Sequence, residues 1–198
     1  QRESYRDLMG DPSEDELATV TEYDALVVRE MSRFGRSLQQ VTKDIERLDG
    51  AGVNGLVLFN RLFQPSIKTD KMENDYSLNL SGANDYRLPL RFAGLLYGRV
   101  GADVCASSGI QSTDTLIKIL LAGADVVQMV SALYAHSIVI VPKILGELKT
   151  WMNERGYERL DDFVGSMSYA NNSHPEMYER AQYARALLHP DKYILFEQ

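Results

Sequence analysis

The sequence predicts an α/β protein built on one parallel sheet of about four strands. Short apolar runs alternate along the chain with segments in which apolar side chains recur at helical spacing. A helix end with glycine, followed by Asn or Asp and then an apolar run, occurs twice, at 51–54 and at 122–125. Such a repeat is typical of an array of strand–helix units. The 198 residues suit a single domain.

The first two units are marked by a capping box and by a long excursion. A strand at 25–28 precedes a helix that Ser37 and Gln40 open as a capping box. The second strand, 55–59, ends at Asn60. After it, residues 61–86 show no clear periodicity. A loop of that length is usually functional or disordered, so we expect an excursion beside a site, with a short hairpin around 76–80. The alternative is a loop without function.

The remaining units follow the same alternation. After a helix at 88–100, a strand at 103–106 enters a small-residue turn, and the next helix ends at Gly123. The last strand is predicted at 126–130. A helix at 136–151, which tolerates Pro142 in its first turns, a short helix near 160–164 and a last helix that follows 173–176 and continues to Leu188 complete the chain.

The carboxyl ends of the predicted strands define a candidate site, because ligands gather at that edge of a parallel sheet. These ends are 30–32, Asn60, 107–109 and 130–131. Gly109 would let the backbone approach a ligand, and free N–H groups before a helix attract anions. The hydroxyls of Ser107, Ser108 and Ser131 are further donors to the same phosphate. The alternative is that Gly109 is only a turn residue.

Composition limits the partners. A net charge of −7 argues against a nucleic acid or an anionic membrane surface. No apolar run approaches the roughly 18 residues of a membrane span, and the single Cys105 is compatible with a reducing compartment, so we expect a cytoplasmic protein. His136, His174 and His189 lack the spacing of metal ligands, so we expect no metal site.

An ordered set of segments resembles the C-terminal half of dihydroorotate dehydrogenase-like proteins. The resemblance runs from about Val27 to Leu188, and it is carried by DGAGVNGLVLFNR (49–61), YRLPLR (86–91), SGI (108–110) and LLAGADVVQM (120–129). These relatives are FMN-dependent TIM barrels that oxidise dihydroorotate in pyrimidine synthesis. The resemblance implies the second half of a (β/α)8 barrel in 25–135, with the excursion at 61–86, and a final barrel helix and C-terminal helices in 136–198.

The resemblance also implies roles for single residues. Asn60 matches an asparagine that faces the flavin ring and the orotate. Ser108 and Gly109 match a Gly-Gly turn that holds the FMN phosphate, and Val130 and Ser131 match the pair that completes this phosphate site. A phosphate site formed by the loops after strands 7 and 8 is common in barrels of this kind.

Two departures from the family bear on catalysis. Glu30 stands where the family has a lysine that pairs with the flavin. The first four barrel strands and the catalytic base have no counterpart, and Cys105, inside a strand, is expected to be a buried core thiol. We therefore predict no catalytic residue here.

Three interpretations follow. The chain is the FMN-phosphate half of a dihydroorotate-oxidising enzyme with a small-molecule substrate; or it is a non-catalytic half-barrel module or remnant that pairs with another chain; or it is a different phosphate-ligand enzyme. A half barrel would leave an open sheet edge and an uncovered core face. That expectation motivates a homo-oligomer, or a partner chain, that completes the barrel.

Overall fold

A computed structural model describes residues 26–28, 38–59, 66–75 and 80–179. Within them, four parallel strands form a sheet in the order β1 (Leu26–Val28), β2 (Gly55–Leu58), β5 (Asp103–Ser107) and β6 (Val126–Gln128). The predicted parallel α/β sheet is confirmed. The last strand is shorter than predicted, since it ends at Gln128 rather than at Val130.

The helices that follow these strands are, in order, α1 (Leu38–Gly50), α2 (Arg87–Leu96), α3 (Thr113–Ala122), α4 (Ser131–His136) and α5 (Ile140–Arg155). The predicted end of α3 is confirmed, because Gly123 has φ 119° and closes the helix with its N–H on the carbonyls of Ile119 and Leu120. The prediction of a single helix over 136–151 was wrong. Ser137, at φ 60°, leaves the helical region and separates α4 from α5, where Pro142 lies in the first turn.

A small antiparallel hairpin, β3 (Ser66–Lys68) with β4 (Glu73–Asp75), lies in the long excursion. It precedes the predicted position at 76–80, of which residues 76–79 lie outside the described residues. Its residues are mostly exposed, and Lys68 Nζ lies 3.8 Å from Asp75 Oδ1. Because neither face is buried, no apolar alternation marks this hairpin in the sequence.

The helices pack on one face of the sheet. Side chains alternate along each strand, and the buried core joins Leu56, Leu58, Val104 and Ala106 to residues of α1, α2 and α3. Register places Val57 and Cys105, which are half-buried, and Val126, which is 51% exposed, on the opposite face. In the described part of the chain, this second face of the sheet is not covered by a helix.

The segment after α5 packs back onto the helices. Two 3-10 turns, Leu160–Asp162 and Pro175–Tyr178, lie where a short helix near 160–164 and the start of the last helix were predicted. The rest of that last helix, 180–188, lies outside the described residues. Backbone bonds tie the segment down: Gly165 N–H donates to the Leu120 carbonyl at 3.0 Å and Tyr169 N–H to the Gly94 carbonyl at 2.9 Å. The Tyr178 ring then lies against Gly94, where an added Cβ would fall 2.1 Å from a ring carbon.

Two helical glycines give a matched test of this contact. We expect Gly94→Ala to lower the free energy of unfolding by about 1–3 kcal/mol, because the new methyl meets the buried Tyr178 ring. In Gly146→Ala, in α5, the new methyl meets nothing within 4 Å. This variant should raise the free energy of unfolding by about 0.5–1 kcal/mol, since alanine favours helix. Urea unfolding of both variants measures the two changes. Stabilisation by both would contradict the packing of the 165–178 segment onto α2.

Candidate functional site

The turn that was predicted after β5 has two residues in an unusual backbone conformation. Ser108 and Gly109 both lie in the left-handed region, at φ 84° and 72°. Three residues later Ser112 caps α3, and its hydroxyl accepts a bond from Thr115 N–H at 3.3 Å. The chain thus leaves the strand, reverses at Gly109 and enters a helix within six residues, at the carboxyl edge of the sheet.

Gly109 is required here because another backbone lies directly on it. A Cβ at this position would fall 2.2 Å from the Tyr86 nitrogen and 2.7 Å from the Asp85 carbonyl carbon. The end of the excursion, residues 80–86, therefore packs on the turn just before α2 begins. We call residues 80–86 the covering loop.

Ser81 of the covering loop joins the two predicted turns. The Gly109 N–H donates to Ser81 Oγ at 3.1 Å, and Ser81 Oγ donates to Ser131 Oγ at 2.8 Å. The Ser81 N–H also donates to Ser131 Oγ, at 3.0 Å. The Ser81 side chain is buried, with only 7% of the residue exposed. Gly109 and Ser131, predicted to share one anion, thus meet on one oxygen atom of the protein.

The other predicted site residues are placed differently. The Ser108 hydroxyl donates to the Phe59 carbonyl at 2.9 Å, so it is directed toward the end of β2. Val130 precedes α4, and its residue is 53% exposed. Asn60 and Glu30 lie outside the described residues.

Two polar residues of the site were missed by sequence reasoning. Ser81 was left inside an aperiodic excursion, and its signal is the Ser-Gly pair at 81–82, similar to the pair at 108–109. Gln111 was assigned no role, yet its Nε2 donates to the Ser81 carbonyl at 2.5 Å. The next residue is fixed as well, because the Gly82 N–H donates to Asp85 Oδ2 at 2.8 Å.

The second face of the sheet carries its own polar pair. Ser107 Oγ donates to Gln128 Oε1 at 2.9 Å, so this hydroxyl is not directed at the Gly109 turn. Cys105 lies two residues earlier on the same face and is half-buried, whereas we had expected a buried core thiol. The reason is the alternation of β5, which turns Val104 and Ala106 to the helices and Cys105 away. Burial raises the pKa of the Cys105 thiol, which keeps it neutral at pH 7.

Two further findings concern the described residues alone. No three or more His, Cys, Asp or Glu side chains among them come together in a way that could hold a metal ion. None of their helices has the length and apolar character that crossing a bilayer requires.

Comparisons with known proteins show which proteins this chain resembles. No family model matches the chain. It is 29% identical over 137 residues to the catalytic subunit of dihydroorotate dehydrogenase B (NAD(+)) of Halalkalibacterium halodurans, covering 67% of this chain and 44% of that protein. A putative dihydroorotate dehydrogenase A (fumarate) of Aeropyrum pernix is 26% identical over 144 residues, which are 70% of this chain and 45% of the relative.

Solved structures give the same result for the fold. A crystal structure of DHODH from Eimeria tenella in complex with ferulenol superposes with a TM-score of 0.53 and 19% identity, over 65% of this chain and 35% of that one. The ligand-free form gives 0.52 and 19%, over 71% and 38%. The predicted resemblance to dihydroorotate dehydrogenase-like proteins is confirmed. The chain spans less than half the length of these curated relatives.

Gly98 and Gly109 have almost the same φ, so a comparison of their alanine variants distinguishes the packing of the covering loop from backbone strain. Gly98→Ala, at φ 73° with nothing within 4 Å, should lower the free energy of unfolding by about 1 kcal/mol through strain alone. Gly109→Ala, at φ 72°, must also push back the Tyr86 backbone, so we expect a loss of about 2–4 kcal/mol. Thermal and urea unfolding measure both. Equal losses would mean that the covering loop does not press on Gly109.

Proposed function

We propose that this chain forms the FMN-phosphate part of a dihydroorotate dehydrogenase-type oxidoreductase, which converts dihydroorotate to orotate in pyrimidine biosynthesis. One observation carries the proposal: Ser81 Oγ accepts from the Gly109 N–H and donates to Ser131 Oγ, so the two turns meet at one oxygen at the carboxyl edge of a parallel sheet. The confirmed likeness to dihydroorotate dehydrogenases supports it. The closure of the sheet into a barrel, and the cytoplasmic location, stay predictions.

The donor set suits one end of a phosphate. The Gly109 N–H is a fixed backbone donor, and the Ser131 hydroxyl is a second donor on the neighbouring turn. The single oxygen of Ser81, which bonds to both residues, supports a spacing of the two turns that suits a phosphate oxygen between them. FMN, when bound, supplies the flavin ring that accepts a hydride from the substrate. The residues described here position its phosphate.

The proposal assigns phosphate binding and no proton transfer to the described residues. Cys105 lies inside β5, and burial raises the pKa of its thiol, so it is unsuited to act as a base at neutral pH. Val130 contributes through its backbone, because its exposed side chain offers no donor. Asn60 keeps the predicted role of contacting the substrate.

Titration with FMN tests the proposal. We expect the purified chain to quench flavin fluorescence to saturation at about one FMN per chain, and Ser131→Ala to weaken FMN binding about fivefold to tenfold, because one hydrogen bond to a charged group is lost. The matched control is Ser166→Ala, an exposed serine in the 165–178 segment, which should bind like the wild type. Absence of FMN binding to the wild type would contradict the proposal, as would equal affinities of the two variants.

A second candidate function is a non-catalytic half-barrel module that pairs with another chain. It is favoured by the second face of the sheet, because parallel sheets are normally covered on both faces and this one exposes Val126. Large apolar side chains beyond β6 are exposed as well: Tyr134 is 73%, Ile138 70% and Val139 67% exposed. Exposed large apolar side chains are a common feature of interaction surfaces.

Sedimentation velocity at micromolar concentration tests the pairing. We expect the wild type to sediment as a dimer, and Val126→Lys to shift it to monomer, because a charge on the sheet face cannot be buried unpaired. Met72→Lys, at an 89% exposed position of the hairpin, is the control and should leave the dimer intact. A compact wild-type monomer would rule out this self-association.

A further inference from the structure

We propose that the Ser81 hydroxyl is an internal latch that competes with the phosphate: it accepts the Gly109 N–H that a phosphate oxygen would use, and a phosphate monoester binds only after Ser81 withdraws from Gly109. The inference rests on the proposed function, because it concerns the same pair of turns. It adds a residue that sets the affinity of that site.

The competition follows from the single hydrogen of the Gly109 amide. A backbone N–H has one proton and a strong preference for a linear bond, so it serves one good acceptor at a time. That acceptor is Ser81 Oγ, at 3.1 Å. Since Gly109 is buried under Asp85 and Tyr86, its N–H cannot turn to a second acceptor. A phosphate oxygen that takes this proton must therefore replace Ser81 Oγ.

The Ser131 hydroxyl keeps a proton that it can donate to an incoming phosphate. Its oxygen accepts two hydrogen bonds from Ser81, one from the N–H at 3.0 Å and one from the hydroxyl at 2.8 Å. Neither bond uses the proton of the Ser131 hydroxyl itself. Ser131 therefore keeps its donor while the latch is closed, and this donor is available to an anion that arrives between the turns.

Opening the latch has a side-chain part and a main-chain part. The Ser81 carbonyl accepts from Gln111 Nε2 at 2.5 Å, and the Ser81 N–H donates to Ser131 Oγ at 3.0 Å. A rotation about χ1 of Ser81 removes the hydroxyl from Gly109, but Cβ lies one bond from Oγ, so the main chain at Ser81 must also shift to admit a phosphate oxygen. That shift is common to the wild type and to Ser81→Ala, so only the hydroxyl bonds distinguish the two.

The cost of opening sets the expected effect. Opening breaks the bond that Ser81 Oγ accepts from Gly109 and the bond that it donates to Ser131. A buried neutral hydrogen bond of this kind is worth about a fivefold change in an equilibrium constant, so the closed latch should weaken phosphate binding about fivefold to twenty-fivefold.

Variants of Ser81, with inorganic phosphate and FMN as probes, test the latch by calorimetry. We expect Ser81→Ala to bind both probes about fivefold to twenty-fivefold more tightly than the wild type, and Ser81→Cys, whose sulfur is a weak acceptor, to lie between them. The matched control is Ser168→Ala, because Ser168 is fully buried yet its hydroxyl has no hydrogen-bond partner among the described residues. Its affinities should equal those of the wild type.

Amide exchange at Gly109 gives a readout that is independent of activity. In the absence of phosphate, exchange should be faster in Ser81→Ala than in the wild type, because the amide has lost its acceptor; phosphate should slow it again.

The outcomes separate the latch from the proposed function. Equal or weaker binding by Ser81→Ala, with binding by the wild type, overturns the latch and leaves the phosphate site standing, with Ser81 as one of its ligands. No binding by any variant overturns both. Tighter binding by Ser168→Ala as well would show that loosening the fold, rather than opening the latch, raises the affinity, and this also overturns the proposal.

Discussion

The close approach of the covering loop to Gly109 is the constraint on which the candidate site depends. Because Gly109 has no side chain, the Asp85–Tyr86 backbone can lie directly over the turn after β5. That contact fixes where α2 begins and brings Ser81 between the turns that follow β5 and β6. The absence of a Cβ at Gly109 thus allows the covering loop to contact the edge of the sheet. The site is formed by residues far apart in sequence and close in space.

The fold and the site differ in how far local sequence determines them. Gly123 marked the end of α3 in the sequence, because a cap is a contact between residues three or four positions apart, and the structure adds Ser112 as the cap at its start. The Gly109 turn was predictable for the same reason. Ser81 was not, because its partners are 28 and 50 positions away. The break at Ser137 escaped prediction because the apolar periodicity runs on through it, and periodicity reports burial rather than backbone dihedrals.

The two faces of the sheet differ in how they are covered, and Cys105 shows the consequence. Sequence reasoning placed this thiol in the core because a strand of small apolar residues usually lies buried. Alternation decides otherwise: its neighbours Val104 and Ala106 fill the helix-covered face, and Cys105 takes the other. The same rule puts Val57 and Val126 beside it. No helix among the described residues covers this face, and its partly exposed apolar side chains are typical of a surface that another structure is suited to bury.

Hydrogen-bond satisfaction explains why a phosphate site would contain a serine that blocks it. A buried N–H without an acceptor costs about 1–3 kcal/mol, so the Gly109 amide needs a partner whenever no ligand is present. Ser81 supplies one and thereby stabilises the ligand-free turn. The same bond makes the ligand compete with the protein itself. A neutral hydroxyl is a suitable competitor, because it satisfies the amide yet accepts more weakly than a charged phosphate oxygen, which therefore displaces it at sufficient concentration. In the proposed latch, one side chain thus sets both the stability of the turn without ligand and its affinity for an anion.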